Sequence, residues 1–82
     1  MSNLELTVYN SKEDNFDSVR SNQMELIRIL KERIADKFGL DQFSLDLRMY
    51  EGGRDLNQDD KTVGQMGITQ DTFLLVRMIK ED

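Results

Sequence analysis

The 82-residue chain contains no cysteine, no histidine and no proline. Without cysteine there is no disulfide, no thiolate nucleophile and no thiolate metal site. Without histidine the commonest general base and the commonest transition-metal ligand are missing. No proline, repeat or low-complexity run marks an internal linker, so residues 1–82 are expected to form one domain, a short one for a chain that folds without disulfides or metal. No apolar run approaches the roughly 20 residues that a membrane span needs. The opening Met1-Ser2-Asn3-Leu4-Glu5 has no apolar segment of a secretory signal. Positive charge is also short, with 11 Lys plus Arg against 16 Asp plus Glu and a net charge of −5. Such a chain repels phosphate backbones, so nucleic acid is not an expected partner. The expectation is a monomer in the cytoplasm, with the nucleus also compatible, using no cofactor, no metal and no membrane.

Apolar residues make up 38% of the chain, enough for a compact core and too many for a disordered tail. Leu4, Leu6 and Val8 alternate with Glu5, Thr7 and Tyr9, the period of a half-buried strand. Asn10 to Asn15 is polar and suits a turn, and a second strand is expected near Phe16 to Ser21 on a weaker pattern. The helix is the clearest element. Asn22 with Glu25 three residues later has the form of a capping box, which predicts a helix over about Gln23 to Phe38. Met24, Ile27, Leu30, Ile34 and Phe38 recur at spacings of three or four on one face. Gly39 supplies the left-handed position after the helix, Leu40 its apolar contact, and Lys37 a favourable charge in the last turn. A third strand follows at Leu45 to Tyr50, then a turn at Glu51 to Asp55 and a very short strand starting at Leu56. Thr62 to Ile68 reads as a turn or 3₁₀ segment and Thr72 to Ile79 as the last strand. This order predicts an α+β fold, a mixed four- or five-stranded sheet packed on one helix.

The run from Arg48-Met49-Tyr50-Glu51-Gly52-Gly53-Arg54-Asp55-Leu56 to Ile68, followed by Thr72 to Val76, is similar to ubiquitin. There, too, a strand enters a glycine turn, an acidic loop, an isoleucine and a final apolar strand. The lengths match from Leu4 to Leu56 and from Thr62 to Met78, with one extra residue in the loop around Asn57 to Lys61. The resemblance covers nearly the whole chain at low identity and implies a ubiquitin-like β-grasp. Ubiquitin's conjugated relatives end in a transferable Gly-Gly, whereas this sequence ends Met78-Ile79-Lys80-Glu81-Asp82. The positions of ubiquitin's two most used chain-forming lysines hold Arg54 and Gln70, which offer no acceptor amine. The resemblance therefore implies a non-conjugated ubiquitin-like domain. Asp59 to Gln65 also resembles the domain embedded in some very large ubiquitin-specific proteases, the cysteine deubiquitinases, and tubulin-folding cofactors carry a similar module.

Ubiquitin's main recognition face lies on its third and last strands, and the resemblance carries it to Arg48, Tyr50, Phe73, Leu75 and Arg77. The alternation agrees on the third strand, where Leu47 and Met49 point inward if Arg48 and Tyr50 point out. Both faces of the last strand are apolar, so its phase stays open: outward Phe73, Leu75 and Arg77, or outward Leu74, Val76 and Met78. The register is expected to set Leu75 beside Tyr50. Where ubiquitin's patch has an isoleucine and a valine, this chain has Tyr50 and Arg77, which argues against ordinary ubiquitin receptors. Lys31 lies near the helix's apolar stripe, either paired with Asp59 or Asp60 or extending its head to water. Ile29, on the opposite side of the helix, is a lone exposed apolar residue or a second contact point. Glu13-Asp14 and Asp59-Asp60 have no EF-hand spacing and read as solvated charge, and Gly52-Gly53 opens no phosphate loop.

No motif places carboxylates for catalysis, so the domain itself is not expected to be an enzyme. The leading expectation is a non-catalytic module of a larger ubiquitin-pathway or chaperone-type protein that binds protein partners, other domains of its host among them. The alternatives are the domain of a tubulin-folding cofactor and a modifier whose Gly-Gly end is missing here. A β-grasp domain for small GTPases fits less well, because Arg20 is the only basic residue between Asn15 and Asn22.

Overall fold

The computed structural model describes residues 3–79. The closing Lys80-Glu81-Asp82, on which the expectation of an unconjugated chain rests, lies outside the described residues. Strands β1 (Leu4–Asn10) and β2 (Asn15–Ser21) form a hairpin, followed by helix α1 (Ile27–Phe38) and a 3₁₀ turn at Gln42–Ser44. Strands β3 (Leu45–Met49) and β4 (Phe73–Met78) complete a four-stranded sheet in the order β2-β1-β4-β3. β1 and β4 run parallel at its centre, and both flanking pairs are antiparallel. The expected short strand at Leu56 reduces to a single bridge between Arg48 and Asp55. No helix among the described residues is long and apolar enough to cross a membrane.

The core lies between the inner sheet face and the helix. Leu6, Val8, Ile27, Leu30, Ile34, Leu47, Leu74 and Val76 are all fully buried. Leu56, Val63, Met66 and Ile68 close its end from the long β3–β4 connection. That connection therefore belongs to the core although it contains no strand or helix.

The helix begins at Ile27, four residues later than the capping signal predicts. The Asn22 side chain accepts a bond from the Met24 N–H at 2.9 Å, and its carbonyl accepts one from Glu25, so Asn22 shapes a turn. The next backbone groups are engaged elsewhere. Val63 and Gly64 donate to the carbonyls of Glu25 and Gln23 at 2.8 and 2.9 Å, and Leu26 bridges Thr62. The first helical N–H groups, of Ile27 and Arg28, donate to the carbonyls of Lys61 and Asp59. A distant loop thus fills the orphan donors that a side-chain cap normally satisfies. Leu26, the residue before the helix, makes no side-chain cap. Gly64 permits the close approach, since a Cβ there would lie 3.1 Å from the Gln23 carbonyl oxygen. Met24, expected on the buried face, is 68% exposed. Glu25 accepts bonds from Ser21 Oγ and Arg33 Nε instead of closing a capping box.

The other end follows the expectation. Gly39 adopts φ 70°, ψ 38°, the Leu40 N–H donates to the Ala35 carbonyl at 2.9 Å, and Leu40 packs on the core. Asn10, read as the start of a loop, is a buried end of β1. Its side-chain oxygen accepts from the Lys12 N–H and starts the turn from within the strand.

Ile27, Leu30 and Ile34 lie at the centre of this packing. Truncating Leu30 to Ala should therefore cost about 2 to 5 kcal/mol in chemical denaturation. A loss well under 1 kcal/mol would mean that the helix face is not the core face.

Candidate protein-interaction surface

Successive side chains of a strand point to opposite faces of its sheet. On β4, Leu74 and Val76 are fully buried, Phe73 and Arg77 are exposed, and Leu75 is half-buried. The last strand thus takes the phase with Phe73, Leu75 and Arg77 outward. On β3, Leu45 and Leu47 face the core, Arg48 faces outward, and Tyr50 follows directly after the strand with 43% exposure. All five residues singled out from the sequence share the outer face.

Their arrangement differs from the expected one. Leu75 pairs directly with Arg48 on β3 and Tyr9 on β1. Tyr50 lies opposite Phe73, to whose carbonyl it donates its backbone N–H at 2.9 Å. Leu75 and Tyr50 are therefore diagonal neighbours.

Two aromatic residues to which the sequence reading gave no role complete the surface. Phe16 on β2 pairs with Tyr9 on β1, and their ring centroids are 4.9 Å apart. Tyr50 lies 5.7 Å from Tyr9 and 6.0 Å from Phe16, and Phe73 follows 6.3 Å from Tyr50. The four rings form one strip from the β2 edge to the end of β3, at edge-on and tilted angles that suit aromatic quadrupoles. Phe16 and Phe73 are each about half exposed, at 51% and 52%. The Tyr9 hydroxyl donates to Asp14 Oδ1, a bond that raises the phenol's pKa above its ordinary value. The period of β1 already placed Tyr9 outward, so its position was legible. Its neighbours on other strands were not.

The other end of the face is organised by Asp46, a buried carboxylate on β3. Its Oδ2 accepts from Arg77 Nε at 2.7 Å and Arg48 Nε at 3.1 Å, and its Oδ1 accepts from Asn57 Nδ2 at 2.7 Å. Burial alone would raise the Asp46 pKa, but the bonds from Arg77, Arg48 and Asn57 outweigh it and hold the carboxyl below its ordinary value. Arg48 also donates to the Gly53 carbonyl at 3.0 Å. The two arginines are therefore not free charges. They share one carboxylate and leave a net single positive charge. A groove of about 720 Å³ beside them carries further paired charge, Lys31 with Asp59 at 3.3 Å among them. Lys31 thus takes its ion pair with Asp59, and Ile29 is half-buried.

Both sheet edges are partly covered by side chains. On β3, Leu47 donates its N–H to Asn57 Oδ1 at 3.0 Å, and its carbonyl accepts from Asn57 Nδ2 at 3.3 Å. The Asn57 amide stands in for a neighbouring strand. On β2, the Asp17 carboxylate accepts the Ser18 N–H at 2.8 Å. These bonds engage edge groups that an added strand would otherwise pair with, more fully on β3 than on β2. Among the described residues no group of three or more acidic side chains could hold a metal ion.

No protein-family profile and no curated protein matches the sequence. Solved structures do match. The ubiquitin-like domain of Arabidopsis thaliana protein At2g32350 is similar at a TM-score of 0.86 and 18% identity, over 99% of this chain and 82% of that one. The N-terminal ubiquitin-like domain of the 4931431F19Rik protein is similar at 0.80 and 16% identity, over 98% of this chain and 77% of that one. A de novo design based on ubiquitin is similar at 0.81 and 20% identity, over 98% and 93%. Likeness at these identities establishes the fold, and the binding partners of those proteins do not transfer with it.

The Asp46 network yields a pH test. A carboxylate whose folded pKa is depressed contributes stability above its unfolded pKa, and that stability is lost as pH falls through the folded value. Here the loss should begin near the ordinary value of 3.8 and continue below it. Asp46→Asn should be less stable than the native chain at pH 7 and should lose less on acidification to pH ~2. Parallel acid limbs in urea denaturation across that range would contradict the assignment.

Proposed function

We propose, from the ubiquitin-like β-grasp fold that this chain has, that it is a non-catalytic protein-interaction module working through the outer face of its sheet. One observation carries the reading: four aromatic rings, from β2, β1, β4 and the residue just after β3, form a continuous strip on the face that no helix covers. A contiguous exposed apolar patch of this kind usually marks an interface, and aromatic residues dominate interface hot spots. Leu75, between Tyr9 and Arg48, joins the strip to the Asp46–arginine end. The interface on this reading comprises Arg48, Tyr50, Phe73, Leu75 and Arg77, extended by Tyr9 and Phe16.

The host on this proposal is a larger ubiquitin-pathway protein of the cysteine deubiquitinase kind, in the cytoplasm. That part is supported by the resemblance of Asp59 to Gln65 and of the glycine turn. Other domains of the host are then natural occupants of the face.

An amide chemical-shift titration with the flanking regions of the parent protein, and separately with ubiquitin, tests the surface. Shifts should centre on β3 and β4 and extend to Tyr9 and Phe16. Leu75→Asp should retain the native spectrum, because Leu75 is only half-buried on the outer face, and should weaken binding by about 2 kcal/mol, as expected of a hot-spot position. Shifts confined to the helix around Ile29 would overturn the assignment.

A further inference from the structure

The rings of Tyr50 and Phe73 stand 6.3 Å apart at an interplanar angle of 69°, two walls rather than a stack. They line a cleft of about 380 Å³ whose other walls are Met49, Glu51, Asp71 and Thr72. Two exposed carboxylates thus flank two half-exposed rings, and no lysine or arginine lines the cleft. The nearby cations are committed elsewhere: Arg48 bonds Asp46 and the Gly53 carbonyl, and Arg54 Nη2 donates to the Met66 carbonyl at 2.6 Å. Further along the strip, Asp14 stands at the Tyr9 hydroxyl and adds a third carboxylate beside the rings.

The electrostatics of this end are one-signed. An aromatic face is the negative pole of its quadrupole and attracts a cation within about 6 Å of the ring centroid. Glu51 and Asp71 add full negative charge to the same opening, on a chain whose net charge is already −5. An anionic partner would be repelled by these carboxylates, and a purely aliphatic one would leave them unpaired wherever it covered them. A guanidinium meets both demands at once, because its plane lies against a ring while its N–H fork engages a carboxylate.

We propose that the Tyr50–Phe73 cleft receives an arginine side chain from a basic peptide segment of the partner. This rests on the outer sheet face being the interaction surface and names the chemistry that it selects. The tethered Arg48 and Arg77 then bound the site and orient the segment, since a basic peptide lying along the strip is repelled at that end. The resulting polarity runs opposite to what free surface arginines would dictate, namely an acidic partner.

The test titrates the full chain with a capped Ser-Arg-Ser-Arg-Ser peptide and with its Gln-for-Arg counterpart, followed by amide chemical shifts. The expected result is a saturable set of shifts at Tyr50, Glu51, Asp71 and Phe73 with the arginine peptide, weakening as salt is raised. The Gln peptide should bind at least roughly five-fold more weakly, and so should the arginine peptide to the E51Q/D71N double variant, about 1 kcal/mol of charge interaction. Both substitutions are isosteric and at exposed positions, so an unchanged spectrum of the free variant verifies its fold. If both peptides shift the same residues with equal affinity, or E51Q/D71N binds as the native chain does, the cation reading is overturned while the outer face stands. If the arginine peptide shifts only acidic positions elsewhere, such as Asp36 or Asp60, with the outer face silent under both peptides, the cleft proposal is overturned, and the face itself falls only if the flanking regions of the parent protein also leave it silent.

Discussion

The register of β4 between β1 and β3 is the constraint on which the rest of the molecule depends. This central strand has apolar residues on both faces, so its own sequence allows either phase. Its neighbours decide. In the observed register Leu74 and Val76 fill the core and Arg77 meets Asp46 at 2.7 Å on the outer side. A slip of one residue would carry Arg77 into the core and strip Asp46 of its shortest arginine contact. An unpaired charge in a low-dielectric interior costs several kcal/mol, more than any gain from burying Leu75 or Met78. The Asp46 network thus selects the face that the aromatic strip occupies, and the core and the candidate surface are two consequences of one register.

Much of this was legible in the sequence where local pattern and tertiary packing agree. The alternation of β1 and β3 and the Gly39-Leu40 stop followed from residue type and spacing, and of the fates left open for Lys31 the structure takes the pair with Asp59. The reading failed where a distant backbone outcompeted a local signal. Asn22 and Glu25 have the form of a helix start, yet the loop from Asp59 to Gly64 takes the carbonyls of Gln23 and Glu25 and supplies its own to Ile27 and Arg28. Nothing local to residues 22–26 encodes that contact. Gly64, whose missing Cβ admits the loop, is its only trace in the sequence.

The candidate surface was legible in part for a similar reason. Strand period orients Arg48 and Tyr9, and the resemblance alone placed Leu75 outward, but which rings touch depends on inter-strand register, and Phe16 joins the strip only through the hairpin pairing with Tyr9. Asp46 was likewise unremarkable as a charge on an outward strand position. Its burial follows from being covered by Arg48, Arg77 and Asn57, which come from three separate segments. That covering changes the functional expectation, since it removes two apparent free cations from the face and leaves the aromatic end with unbalanced negative charge. The outer surface is therefore divided, an anionic aromatic cleft at one end and two arginines that share one carboxylate, with a net single positive charge, at the other.

Because the chain contains no cysteine, single cysteines along β4 can report the register directly. The measurement is the rate of thiol alkylation under native conditions for Phe73→Cys, Leu74→Cys, Leu75→Cys and Val76→Cys, each relative to its rate in denaturant. The account predicts ready labelling at exposed 73 and half-buried 75, with 74 and 76 protected to the extent set by unfolding of the domain. Protection at 73 and 75 with rapid labelling at 74 and 76 would contradict it.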